Sequence, residues 1–261
     1  MPDEHRKTMT EKASTLIDDF TDYFRIQLVT TAEQAKEVYG VRYRVYCEEF
    51  KYEATDLFPD KIETDEFDEQ SLHCLIVHKE TGRSAGCVRL VPVCASIENG
   101  LLPFEKFCQQ SLNKPLIDSW HLQRDTECEI SRLAVDTAFR RRPGETATRF
   151  GEVDSMDCTK REQRTFSLIA VSAFLAATSI TALTQKTNVF AMMEPFLPRL
   201  LKRSGILFEK VGADMDYHGI RAPYFIKTQS ALDNMRPDLK EMYDWVYQQV
   251  AVDYDKLTAT P

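Results

Sequence analysis

The sequence predicts an α/β fold, a mixed β-sheet covered by helices on both faces. Short apolar, strand-like runs alternate with segments of helical period. Neither a repeat nor a Gly/Ser-rich linker divides the 261 residues. The chain is therefore expected to form one domain over 1–261, with an N-terminal helix over 1–24 and a C-terminal helical extension over 229–261.

Apolar residues at helical spacing (Ala13, Leu16, Ile17, Phe20, Tyr23, Phe24) predict the first helix, and "FRIQLVT" then reads as a strand. A Thr cap with Glu33 opens a second helix that runs to Phe50. "SLHCLIVH" and "SAGCVRLVPV" form a hairpin around "KETGR". "LLPFEKF" is a short helix or turn with exposed aromatics, and "CEISRLAV" is a strand. A long polar segment precedes an apolar helix, Phe166 to Gln185, and "NVFAMM" is a strand. "EPFLPRLLKRSG" is a helix with Gly205 as its C-cap, "ILFEKVG" and "APYFIKTQ" are strands, and "LDNMRPDLKEMYDWVYQQV" is a terminal helix.

Hydrophobic residues at 43% and charged residues at 28% describe a soluble globular chain. A net charge of −8 argues against general nucleic-acid binding. The N-terminus lacks the apolar core of a signal peptide, and Ser167 to Ala182 is too short and polar to span a bilayer. Seven cysteines without a CxxC pair read as buried, reduced thiols of a cytoplasmic protein.

The informative positions are charges inside apolar runs: Arg89 in "GCVRLVPV", and Glu129 and Arg132 in "CEISRLAV". Burying a charge costs several kcal/mol unless it is paired. Alternation sends Glu129 and Arg132 to opposite faces, and a bulge between them would bring both to one side. The run "IETDEFDEQ" carries Glu63, Asp65, Glu66, Asp68 and Glu69. Glu63, Asp65 and Asp68 could pair with Arg42, Arg89 and Arg132, with Arg44 a further basic partner. The alternatives are a solvated loop and, more weakly, calcium, for which the glycine and spacing of an EF-hand are missing. No other ligand spacing suggests a metal.

The order Arg42-x-x-x-Tyr46, Tyr52, Glu63-x-Asp65-x-x-Asp68, Gly86-x-x-Arg89 and Glu129-x-Ser131-Arg132 resembles the acyl-homoserine-lactone synthases. That family carries R-x-x-x-F, a tryptophan, E-x-D-x-x-D, G-x-x-R and E-x-S-R. Tyr46 and Tyr52 stand here for its Phe and Trp, which turns the expected product away from homoserine lactone. The C-terminal stretch "FAMMEPFLPRLLKRSGILFEKVGADMDYHGIRAPYF" is more similar to the PEP-CTERM/exosortase-associated acyltransferases and long-chain N-acyl amino acid synthases. The resemblance covers roughly residues 25 to 228.

It implies a GNAT-type, splayed sheet whose V-shaped opening takes a pantetheine thioester. It also implies a bacterial enzyme with an acyl carrier protein as donor, the α-amine of an amino acid as acceptor, and no tightly bound cofactor. Amide formation needs a deprotonated amine and a stabilised oxyanion. Glu129 is the expected base, with Ser131 assisting the departing thiolate or bonding locally. Arg89 and Arg132 would shape the cleft or pair with the acceptor's carboxylate. Phe104 would line a pocket or belong to the core. Arg140, Arg141, Arg142 and Gly144 in "FRRRPGE" match half of a phosphate-cradling loop and suit an acidic carrier protein. Small residues of the apolar helix (Ala170, Ala173, Ala176, Ala177) could leave room for an acyl tail, and His218 reads as structural.

Overall fold

The computed structural model describes residues 16–93, 100–140 and 165–259. Helix α1 (Leu16–Tyr23) leads into strand β1 (Phe24–Leu28). Thr31 caps α2 (Ala32–Arg42), accepting from the Gln34 N–H at 3.3 Å while the Gln34 side chain accepts from the Thr31 N–H at 3.2 Å. The box therefore uses Gln34, three residues after the cap, and not Glu33. The predicted single helix to Phe50 is interrupted: Tyr43–Glu49 widens into a π-helical turn.

The hairpin β2 (Leu72–His78) and β3 (Ser84–Pro92) follows, then α3 (Pro103–Phe107), α4 (Lys114–Ser119) and β4 (Glu127–Val135). The apolar helix α5 spans Ser167–Leu183, followed by β5 (Asn188–Met193) and α6 (Phe196–Lys202). Beyond α6, Gly205 adopts φ +86°, as expected of a residue closing a helix. Of the predicted strand "ILFEKVG", Glu209–Lys210 (β6) pairs with β8 and Gly212 bridges to Leu112, and β7 (Met215–Asp216) and β8 (Ile220–Lys227) complete the strands. The predicted terminal helix is two, α7 (Thr228–Asn234) and α8 (Pro237–Ala259), because proline at a first helical position starts a new helix.

The sheet runs β1-β2-β3-β4-β5-β8-β6, with β7 paired to β8. Only β4 and β5 are parallel among the described pairs, so the sheet is mixed. Helices α5 and α8 pack on one face, burying Ile26, Ile76, Val88 and Leu90. Helix α2, through Val38 and Val41, and the π-helical turn, through Val45, pack on the other against Leu75, Val77 and Cys87. Ala173, Ala176 and Ala177 of α5 are buried in the first of these layers. Among the described residues no helix is long and apolar enough to cross a membrane.

Two irregularities shape the middle of the sheet. β4 and β5 pair only from Glu127↔Asn188 to Glu129↔Phe190, although both strands continue, so they part beyond Glu129. Between β3 and β4, Cys87 faces Ala134 and Arg89 faces Ser131, leaving Arg132 and Leu133 opposite Val88 alone. This is the bulge that simple alternation lacks, and Arg132 sits at φ +51° within it.

Candidate functional site

The acidic run divides by burial. Glu63 and Asp68 are buried and Asp65 is half-buried, while Glu66 and Glu69 point to solvent, Glu66 pairing with Lys106 at 2.6 Å. The inward three meet three arginines. Buried Arg42 pairs with Glu63 and donates to Asp68 at 2.6 Å. Arg89 donates to Asp65 at 2.6 Å and to Asp68 at 2.7 Å. Arg132 reaches Glu63 at 3.1 Å and Asp65 at 3.0 Å. Backbone N–H groups complete the set: Asp68 accepts from the Asp65 amide and Asp65 from the Phe67 amide. Three guanidinium and three carboxylate groups thus form one closed network joining α2, the acidic loop, β3 and β4.

Burial alone would raise these carboxyls, but the facing guanidinium groups win. Arg42 and Arg132 hold Glu63 below its usual range, Arg89 and Arg132 do so for Asp65, and Arg42 and Arg89 for Asp68. The solvated-loop reading therefore fails for the three inward acids and holds for Glu66 and Glu69. Arg44 is a correction: it reaches Asp136 at 2.6 Å, because two residues along a helix is more than half a turn from Arg42. His73, opposite Arg89 on β2, lies 3.7 Å from Asp68 and is buried, which lowers its imidazole to about 4. No group of residues among those described could hold a metal ion.

Glu129 stands where β4 and β5 part. It is 3% exposed, and its carboxylate accepts from the Phe104 N–H at 2.7 Å. Burial pushes the carboxyl up to about 7, with the Phe104 amide, Arg89 and Arg132 opposing. Ser131, two residues on and on the same face, accepts from Arg89 Nε at 3.1 Å. Phe104 itself is a core residue, not exposed: its ring stacks on Phe190 with centroids 4.7 Å apart.

The aromatic positions sit beside Arg132. Its guanidinium lies 5.5 Å from the Tyr46 ring centroid, and Tyr46 donates to the Leu133 carbonyl at 3.1 Å. The Tyr52 ring is 6.2 Å from Tyr46, stacks on Phe50, and lies 5.5 Å from His218. His218 in turn approaches Glu53 at 3.4 Å. Tyr217 and Arg221, which sequence reasoning missed, complete this side, with the Arg221 guanidinium 5.8 Å from the Tyr52 ring. The signal for them is faint: a short polar turn, "DYHGIR", at φ +54° for His218.

Arg140 is buried and turned inward, pairing with Glu49, donating to Thr137 at 3.1 Å and lying 5.0 Å from the Phe50 ring. Its expected place on a donor-facing surface is corrected accordingly. Arg141, Arg142 and Gly144 lie outside the described residues. Cys47, Cys74, Cys87, Cys108 and Cys128 are free and buried, and Cys94 and Cys158 lie outside the described set.

Residues 41–149 match the family model for the acetyltransferase (GNAT) domain. Among solved structures, the chain is similar to MesI, a CoA-dependent acyl-homoserine lactone synthase, at 18% identity and TM-score 0.53, over 86% of this chain and 95% of that one. It is similar to BjaI, another such synthase, solved with SAM and isopentyl-CoA (16% identity, TM-score 0.54, 85% of this chain and 89% of that one). FeeM, an N-acyl amino acid synthase from uncultured soil microbes, is similar at 12% identity and TM-score 0.54, over 84% of this chain and 97% of that one. No curated protein sequence matches the chain. The fold is thus GNAT-like, an open mixed sheet parted between β4 and β5, and the family match supports the acyltransferase class.

Proposed function

We propose that the chain, acting as one domain, is an N-acyltransferase that moves a long-chain acyl group to the α-amine of an amino acid. The donor is the phosphopantetheine thioester of an acyl carrier protein and the product an N-acyl amino acid. The observation that carries the reading is Glu129, buried where the strands part, with its carboxyl raised by burial to about 7. A base of that pKa near an α-ammonium, whose own pKa is near 8, takes its proton directly or through one water. The amine nitrogen then attacks the thioester carbonyl, the C–N bond forms, the C–S bond breaks, and the thiolate leaves to be protonated. Ser131, held by Arg89 beside Glu129, is available to the departing sulfur.

The ionic network contributes positioning. Its arginines are already engaged by Glu63, Asp65 and Asp68, so they hold Ser131 and Tyr46 in place rather than exchanging protons. Arg141, Arg142 and Gly144 are proposed for the donor side. The closer kinship to the PEP-CTERM/exosortase-associated group, and work in the bacterial cytoplasm, belong to the same proposal. They rest on sequence resemblance and on the buried, reduced cysteines.

A second reading, an acyl-homoserine-lactone synthase, is favoured by the likeness to MesI and BjaI, both CoA-dependent synthases of that kind. One assay separates them. The purified protein is given long-chain acyl carrier protein or acyl-CoA with a pool of amino acids, thiol release is followed, and products are read by mass spectrometry. An N-acyl amino acid mass supports the proposal. A lactone formed only with added S-adenosylmethionine supports the second reading. Donor binding without thiol release defeats both and leaves an acyl-thioester-binding module.

A further inference from the structure

A short hairpin crosses the opening between β4 and β5. Strand β8 stays paired with β5 up to Met193↔Ala222, and the two residues before that, Ile220 and Arg221, pair instead with Asp216 and Met215 of β7. Residues 215–221 therefore form a ribbon of two pairs that projects past the end of β5. Its turn is tight. The Tyr217 N–H donates to the Gly219 carbonyl at 3.0 Å, the Gly219 N–H donates to Asp216 at 3.2 Å, and His218 and Gly219 hold φ +54° and +90°.

The root of this hairpin is fixed and its tip is carried to the far wall. At the root, the Asn113 N–H donates to the Val211 carbonyl at 2.8 Å and the Ala213 N–H to the Ser111 carbonyl at 2.7 Å. At the tip, the Tyr217 ring lies near-parallel to Phe107 with centroids 6.4 Å apart. Phe107 ends α3, the helix whose Phe104 N–H donates to Glu129 at 2.7 Å. His218 meets the loop after the π-helical turn, its Nε2 3.4 Å from the Glu53 carboxylate and its ring 5.5 Å from Tyr52. Tyr52 is 6.2 Å from Tyr46, which lies against Arg132 of β4. The tip thus leaves the β5–β8 wall and ends on the β4 wall. It does so on the face that Glu129 occupies, because Phe104 of α3 stacks on Phe190, the strand partner of Glu129.

Two pairs do not hold a ribbon in place by themselves. Asp216, Gly219 and Ile220 are open to solvent, while Tyr217 and His218 are half-buried beneath them. The position of the hairpin therefore depends on what its tip grips. A partly exposed ion pair with ring contacts is a weak grip and releases at low cost. Resting on the acyl transfer assigned to Glu129 above, we infer that hairpin β7–β8 is a strap over the acceptor side of the opening: the His218–Glu53 contact holds it shut, release admits the amino acid, and closure keeps water from the thioester. Water is the competitor that a thioester beside a base must be shielded from. Deprotonated at Glu129, it adds to the carbonyl, the C–O bond forms, the C–S bond breaks, and a free fatty acid and a thiol leave in place of the amide and the thiol.

His218→Gly tests the grip with the least disturbance, since glycine takes the left-handed backbone and removes only the side chain. Hydrogen exchange read by mass spectrometry should find residues 213–221 exchanging about 3- to 10-fold faster in the variant, with β5 and α5 unchanged. In the acyl-transfer assay the unaltered protein should release thiol and form N-acyl product in equal amounts. The variant should release thiol in excess, the remainder appearing as free fatty acid, with a higher KM for the acceptor. Glu53→Ala should reproduce both effects, and it carries the same two readouts if His218→Gly does not fold. Unchanged exchange at 213–221 overturns the latch and the strap with it. Faster exchange with thiol and product still equal overturns the strap and leaves acyl transfer standing. Faster exchange in a protein that acylates no amine removes the function and the strap together.

Discussion

The carboxylate of Glu129 and the backbone N–H of Phe104 are joined by a 2.7 Å hydrogen bond that spans 25 residues of sequence and closes over a buried acid. One amide partner stabilises the ionised form, but burial outweighs it, and the carboxyl stands at about 7. Glutamine at this position can still accept from Phe104. Glu129→Gln should therefore keep the fold and lower kcat by about 100-fold or more, the scale of general-base catalysis. A variant with full turnover removes Glu129 as the base.

The same shift has a stability consequence. A carboxyl whose pKa is raised on folding, here from 4.5 toward 7, favours the folded state below pH 4.5 and loses that contribution as pH rises through 7. Glu129→Gln should thus melt higher than the parent at pH 8, with the difference shrinking toward pH 5. Thermal melts across that range decide it, and a pH-independent difference contradicts the buried-acid assignment. Acyl transfer should rise with pH through the same window as the base ionises.

The acids of the network behave in the opposite sense. Glu63, Asp65 and Asp68 have carboxyls lowered on folding, so their contribution is present above about pH 4.5 and is lost as pH falls below it. Replacing Asp68 by Ala leaves three guanidinium groups facing two carboxylates, an excess buried charge that should cost about 3–5 kcal/mol, the range for breaking a buried pair. Asp65→Ala takes one carboxylate from both Arg89 and Arg132 and should lower melting temperature along with activity. Denaturant melts of these variants read the effect, and an unchanged midpoint for either argues that the network carries no stability.

The five described cysteines should be inert in the native protein at pH 8. Burial raises every one of these thiols, Cys47 to about 11 and Cys87 and Cys108 to about 12. Thiol-reagent labelling followed by peptide mapping should find them modified only after unfolding. Fast labelling of Cys108 would contradict its enclosure beside Glu129.

Gly205 tolerates no side chain. A Cβ there would come within 1.8 Å of the Asn234 carbonyl oxygen, and the residue holds φ +86°. Gly205→Ala should cost more than about 1 kcal/mol and loosen α6 against the start of α8, read by thermal melts and hydrogen exchange.

The charge network is largely legible in sequence because an arginine or glutamate inside an apolar strand demands a partner. Arg89 and Arg132 follow from that rule, whereas the grouping of all six positions follows from the resemblance to the acyl-homoserine-lactone synthases, a solvated loop being the open alternative for the acids. Arg132 shows the limit: alternation puts it on the wrong face, and a single residue at φ +51° reverses the answer. Nothing in "CEISRLAV" marks that residue, since the left-handed region ordinarily calls for glycine. Arg44 looked like a partner by type and is excluded by helical geometry. Arg221 and Tyr217 were invisible for another reason. They join Tyr52 and His218 only through the pairing of β8 with β5 and β7, a relation that the local sequence does not carry. The break between α7 and α8, by contrast, was written in Pro237.

The closed network also limits how this chain can change over generations. Each of its six groups holds at least two others, so any lone replacement passes through a protein with a stranded charge. Substitutions elsewhere carry no such toll, and the fold persists among structures only 12–18% identical. The loop from Glu63 to Glu69, solvent-facing at two of its five acids, is therefore expected to vary at Glu66 and Glu69. Glu63, Asp65 and Asp68 would move only in concert with the arginines they face.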